Sequence, residues 1–170
     1  MVEILRYPTE EDWLRCKLLA ISTSGKKHAK TADTEWRKKI LRCEHSPIRT
    51  LMFTVRMDVP YYVSVHFCRH KYGVEHYVSS QRNDRQNKYN RLEAPQAAMV
   101  THVMDVNAQA LMQIARKRLC GKADPATRKI MQDIVEAVVK VAPEFEELLV
   151  PQCKYFHECK EFQTCGMMER

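Results

Sequence analysis

No stretch of this 170-residue chain approaches the roughly 18 consecutive apolar residues of a membrane-spanning helix, so the sequence offers no such span. The opening residues, MVEILRYPTEEDW, lack the charged start and apolar core of a secretory leader. Internal repeats and low-complexity linkers are also missing, which leaves one domain as the simplest organisation. Acidic residues are the scarcer charge, 21 against 28 Lys and Arg, and the net charge of +7 favours an anionic partner: a nucleotide, a nucleic acid or an acidic surface. The seven cysteines are an odd number and cannot all pair within one chain. A reducing cytoplasm is therefore the expected compartment.

What is present suits a folded globular chain, with 45% apolar and 29% charged residues and enough length to bury a sizeable core. Residues 1–150 are expected to form a single domain, followed by a Cys-rich tail over 151–170. Val2 to Leu5 alternates apolar and charged residues and predicts a short strand. Thr9 and Asp12 read as a capping box for a helix over 10–21, carrying Trp13, Cys16, Leu19 and Ala20. Asp33 or Thr34 caps a second helix that stops near Pro47. Thr50 to Met57 is rich in β-formers and predicts a strand.

Two segments are less clear-cut. Val63, Val65 and Phe67 alternate with Ser64, His66 and Cys68, so periodicity favours a strand over Tyr61 to His70. Pro60 equally suits the first position of a helix. Pro95 to Leu119 has no internal Gly or Pro, and Val100, Met104, Ala108, Leu111, Ala115 and Leu119 make one stripe, predicting a single long helix. Asn107 and Arg118 fall on that stripe about three turns apart, where they border a polar pocket or pair internally. Asp124-Pro125 starts another helix, and Pro143 opens a short helical piece through Leu149.

Arg69 to Arg91 (RHKYGVEHYVSSQRNDRQNKYNR) organises the rest. It holds six cations, Arg69, Lys71, Arg82, Arg85, Lys88 and Arg91, interleaved with Tyr72, Tyr77 and Tyr89. Cations packed this densely repel one another unless an anion answers them. The stretch reads either as a solvated basic patch for nucleic acid or as a phosphate-bearing small-molecule site.

The order Arg69-His70-Lys71, then Ser80-x-Arg82, resembles the signature of flavin-dependent thymidylate synthases, R-H-R followed by S-x-R-Y. Lys71 replaces the second arginine, Asn83 the tyrosine, and one extra residue precedes Ser80. Val74 and His76 stand where Ser and Asn are usual. Upstream, His45-Ser46-Pro47 resembles the H-x-S-P-x-E-H segment, with Arg49 and Thr50 in place of Glu and His. Downstream, Arg91-x-x-x-Pro95, Asn107 and Arg118 align with three family positions, while Gln109 replaces an arginine. The resemblance covers about residues 10–150 of a chain that is short for the family.

The resemblance implies an α/β (α+β) fold with a central sheet and long helices. It also implies a homotetramer binding FAD and dUMP at subunit interfaces, and a helix over Tyr61 to His70. The implied reaction is reductive methylation of dUMP to dTMP, with methylenetetrahydrofolate as carbon donor and NADPH as reductant. His66, Ser80, Arg82, Arg91 and Arg118 would hold the nucleotide, Arg118 also stabilising charge on the uracil carbonyl. Arg69, His70, Lys71, Asn107 and Gln113 would line the flavin. No enzyme nucleophile is required.

Two alternatives stand beside this reading. One is a nucleic-acid-binding basic module, since interleaved Arg and Tyr suit phosphate contacts and base stacking. The other is a repurposed relative that binds a pyrimidine nucleotide without making dTMP. Cys153, His157, Cys159 and Cys165 raise the question of zinc, but their spacing is not a common zinc pattern, and buried thiols with no metal are the expectation. His28 and His102 have no constellation around them in the sequence and read as incidental.

Overall fold

Strand β1 (Val2–Arg6) leads into helix α1 (Glu10–Ser22) and helix α2 (Thr34–Arg42), and a 3-10 turn over Ser46–Thr50 delivers the chain to β2 (Met52–Pro60). Helix α3 (Tyr61–Cys68), β3 (Val74–Val78) and the single turn α4 (Asn83–Gln86) follow, then β4 (Met99–Asn107), α5 (Ala108–Arg118), α6 (Pro125–Val141) and α7 (Gln152–Phe156). The computed structural model describes residues 1–168. Among them, no helix is long and apolar enough to cross a membrane.

The strands form one antiparallel sheet in the order β1-β2-β4-β3. Phe53, Val55, Met57 and Val59 on β2 sit directly opposite Val106, Met104, His102 and Val100 on β4, and all eight are buried. That period of two puts one face of the sheet against the helices. The opposite face carries polar pairs, with Thr54 donating to Asp105 and Thr101 to Asp58, each at 2.7 Å. At the centre of the covered face Phe145 meets Phe53 edge-on at 5.2 Å and Trp13 at 6.4 Å. Arg37 lies 5.1 Å from the Trp13 ring and pairs with Glu10. The fold is α+β, a sheet with helices segregated on one face.

Several local expectations hold. Thr9 and Asp12 form the capping box of α1, Asp33 caps α2, and Asp124 caps α6 ahead of Pro125. The segment from Tyr61 is helical, because its buried residues are Val63, Ser64 and Phe67, a helical set. An alternating strand would have buried Val65, which is 41% exposed.

The single long helix over Pro95 to Leu119 is not what forms. Met99–Asn107 is a strand, and only Ala108–Arg118 is helical. Residues four apart share a face in a strand as well as in a helix, so Val100, Met104 and Ala108 satisfied both periods. The deciding residues lie between them: His102 and Val106 are buried, and β-branched Val100, Thr101, Val103 and Val106 favour the pleated conformation. Pairing with β2 along its whole length then settles the choice. Asn107 is consequently no mid-helix residue. It ends β4 and caps α5, accepting the Ala110 amide at 2.9 Å.

Candidate active site

Helix α3 releases the chain at Arg69, and residues 69–73 turn back over the first turns of α5. Gly73 makes this turn possible, at φ +71°. Its carbonyl accepts the Asn107 amide at 2.9 Å, and a Cβ on Gly73 would lie 2.4 Å from Asn107 Nδ2. Glycine is required here for its backbone conformation and for the missing atom. The turn and α5 enclose two adjoining pockets. One, of about 190 Å³, is lined by Arg69, His70, Lys71, Tyr72, Gln113 and Ile114. The other, of about 310 Å³, is lined by Arg49, Tyr72, Gly73, Asn107, Gln109 and Gln113. All five residues expected at the flavin therefore border one groove. Arg49, Tyr72, Gly73 and Gln109 were not foreseen as its lining. The glycine alone within a run of cations was the sequence signal for such a close approach.

Arg118, the last residue of α5, reaches back to this turn. Its Nε donates to His70 Nε2 at 3.0 Å, and its Nη2 donates to the His66 carbonyl. Accepting at Nε2 leaves the His70 proton on Nδ1. Burial, then the Arg118 charge and the neighbouring His76, push the His70 pKa down to about 4. Burial and the nearby Arg69 charge also lower the pKa of Arg118. Half-buried Arg118 beside Arg69 is thus a concentration of positive charge in a partly dry place, and an anion in the groove would relieve it.

Behind the groove lies a polar chain inside the core. His76 Nε2 donates to the His70 carbonyl at 2.9 Å, which obliges His76 Nδ1 to accept from His102 Nε2, also at 2.9 Å. His102 Nδ1 then accepts from the Ser64 hydroxyl at 3.1 Å. The carbonyl, which can only accept, fixes every tautomer in the series. His102 is therefore not incidental. It is fully buried, and its neutral ring helps to hold the His70 backbone. Cys68, His76 and His102 bring their ligand atoms within 4.8 Å of one another, as a metal would need. A metal there would have to break the His76–His102 bond, and three ligands would leave its shell open.

Burial and the neighbouring His76 bring His102 to about 4 as well. Both histidines start from 6.5 in the unfolded chain, so below that pH the unfolded state binds protons that the folded state refuses. Their contribution is complete above pH 6.5 and is lost as pH falls towards 4. The melting temperature should decline through that window, and His102→Gln should flatten the decline.

The remaining expected residues lie elsewhere. The His66 ring bonds Thr127 Oγ1 at 2.6 Å at the start of α6. Ser80 borders a separate pocket of about 640 Å³ with Arg85, Lys88, Tyr89 and Thr101. Arg82 makes a two-pronged contact with Asp84 at 3.0 and 2.9 Å, and Arg91 is exposed. Ser80 is thus drawn together with Arg85 and Lys88, while Arg82 and Arg91 do not line that pocket or the groove.

Residues 87–144 match the model of the family described as "Thymidylate synthase complementing protein". That span contains Arg91, Asn107, Gln113 and Arg118. The fold is shared with a UMP/dUMP methylase, PolB, from Streptomyces cacaoi bound with 5-Br dUMP, at TM-score 0.68 and 15% identity over 88% of this chain and 96% of that one. It is shared also with Thymidylate Synthase X from Helicobacter pylori with FAD and dUMP, at TM-score 0.66 and 12% identity over 87% and 96%. The matched span is 58 of the 170 residues, and the two solved structures share the fold. No curated protein matches the chain. The matched span covers β4, α5 and α6, so Asn107, Gln109, Gln113 and Ile114 of the groove lie inside it, and Arg49 and the turn at residues 69–73 lie outside it.

Proposed function

We propose that this chain is a flavin-dependent thymidylate synthase, converting dUMP to dTMP with methylenetetrahydrofolate as carbon donor and NADPH as reductant. The supporting observation is the groove: Arg69, Lys71 and Arg49 supply cations for a diphosphate. Asn107, Gln109 and Gln113 supply amides for ring and ribose atoms, and Tyr72, 91% exposed, supplies an aromatic face. This donor set fits FAD in chemistry. The pocket volumes are small for a whole dinucleotide, and a second copy of the chain would supply the remaining walls. Exposed Tyr72, Tyr77, Leu92 and Met99 lie on or beside the basic stretch and suit such a contact. A homotetramer with interfacial sites is the assembly this reading adopts.

Bound FAD would supply the hydride chemistry, which no side chain can. Arg118 keeps donors beyond those used on His70 and His66, and these would meet charge developing on the uracil carbonyl. Because α5 and the His70 ring already orient the guanidinium, little reorganisation is left for the reaction itself. Ser80, Arg82 and Arg91, with His66, would bind dUMP across the interface, the nucleotide phosphate displacing Asp84 from Arg82.

Purified protein should be yellow, or become so on adding FAD, and dUMP should perturb the flavin spectrum. With all substrates present, labelled methylene carbon should appear in dTMP. Flavin and dUMP binding without dTMP would instead identify the repurposed nucleotide-binding relative. A colourless protein that binds polynucleotide with steep salt dependence would replace this reading with the nucleic-acid module.

A further inference from the structure

Four of the seven cysteines line one cavity away from the groove. Cys120 sits in the link between α5 and α6, Cys153 on α7, and Cys159 and Cys165 in the tail, and all four line one small cavity of about 10 Å³. All four are free thiols and none is fully buried, against expectation for those in the tail: Cys120, Cys153 and Cys159 are partly buried and Cys165 is exposed. We propose that Cys120, Cys153, Cys159 and Cys165 form a structural zinc site that staples the tail to the α5–α6 link. This revises the sequence grouping: His157 drops out, since it does not line the cavity, and Cys120, more than thirty residues upstream, takes its place.

Three observations carry the proposal. Residues 157–168 contain no helix or strand and add nothing to the buried apolar core, yet they are folded back on the domain. Phe162 is 90% exposed, so apolar burial contributes little here, and the Lys117–Glu161 ion pair at 3.1 Å ties the segment to α5. Segments of this kind are held by metals or disulfides.

The second observation is the closeness of sulfur to the link. A Cβ on Gly121 would lie 3.1 Å from Cys165 Sγ, and the Lys122 amide points at Cys120 Sγ at 3.5 Å, an outer bond of the sort that supports a metal-bound thiolate. The third is charge. Four thiolates around a divalent ion leave a net charge of −2, and Lys122 and Lys160 both border the cavity.

The sulfurs line the cavity without converging, since no three of them lie within 4.8 Å of one another. Ligation at Zn–S distances of about 2.3 Å requires side-chain rotation and a small closure of the tail. Each ligating thiol releases its proton to solvent, so zinc affinity should fall as pH is lowered. Nothing here depends on flavin or nucleotide binding.

The test is elemental analysis of untagged protein after dialysis, together with cobalt(II) substitution. About one zinc per chain is expected, and cobalt should give the charge-transfer and d–d absorption of a tetrahedral tetrathiolate. Cys159→Ser with Cys165→Ser should lose the metal, whereas Cys43→Ser, remote from the cavity, should keep it. Removing zinc should speed tryptic cleavage after Lys154 and Lys160. Iron with acid-labile sulfide, a native mass showing two disulfides, or zinc retained in the double variant would each overturn the site. Should the double variant fail to fold, the cobalt spectrum of the wild-type chain decides: no thiolate bands, no site.

Discussion

Arg118→Ala should lower turnover of dUMP to dTMP by about 10²- to 10³-fold, the usual cost of one preorganised donor to a developing oxyanion. FAD should still bind, because the groove cations Arg69, Lys71 and Arg49 are untouched. The loss should fall on kcat more than on KM, since the guanidinium is assigned to charge that develops during the reaction. A second readout separates this from simple damage. Arg118 is among the causes of the low His70 pKa, so the variant should let His70 titrate closer to 6.5, visible by NMR. Stability should fall by about 1–3 kcal/mol, because His70 Nε2 and the His66 carbonyl lose a partner. Arg118→Lys keeps the charge with a single nitrogen and cannot hold both partners, so it should lie between the two. Kinetics unchanged in Arg118→Ala would sink the assignment.

Gly73→Ala should be the most damaging small change near the groove. At φ +71° an alanine costs about 1–2 kcal/mol. Its Cβ would also push Asn107 out of its cap on α5, at a further cost of about 1 kcal/mol. Together these predict a loss of roughly 2–3 kcal/mol, or about 4–12 °C in melting temperature for a chain of this size. FAD affinity should drop with it, because Gly73 and Asn107 border the same pocket. Gly25→Ala is the control. It sits at φ +76° with nothing within 4 Å, so it carries the backbone strain alone and should lose about half as much. Equal losses at the two positions would show that the contact with Asn107 carries no weight.

The caps at Thr9, Asp33 and Asp124 were legible because capping is a bond between residues three apart. The strand expected over Thr50 to Met57 was legible from its β-formers, and it forms over Met52–Pro60. The resemblance grouped Arg69, His70, Lys71, Asn107 and Gln113 as an expected flavin lining, and these five residues border one groove. β3 went unread inside the cation-rich run, where Glu75 and His76 hide a five-residue pattern. β4 was mistaken for helix because a spacing of four satisfies both periods.

The sequence by itself determined the local matters: caps, turns, the excess of positive charge, and which residues could serve a nucleotide. Those follow from bonds and periodicities spanning a few positions. Only the tertiary structure decided the long-range ones. Pairing with β2 made residues 99–107 a strand and buried His102, which turned an unremarkable histidine into the middle of a hydrogen-bonded series. The return of α5 set Arg118 against His70, and the fold of the tail brought Cys120 to thiols far along the chain. Sequence spacing carries no information about such meetings, because each is fixed by which surfaces bury one another.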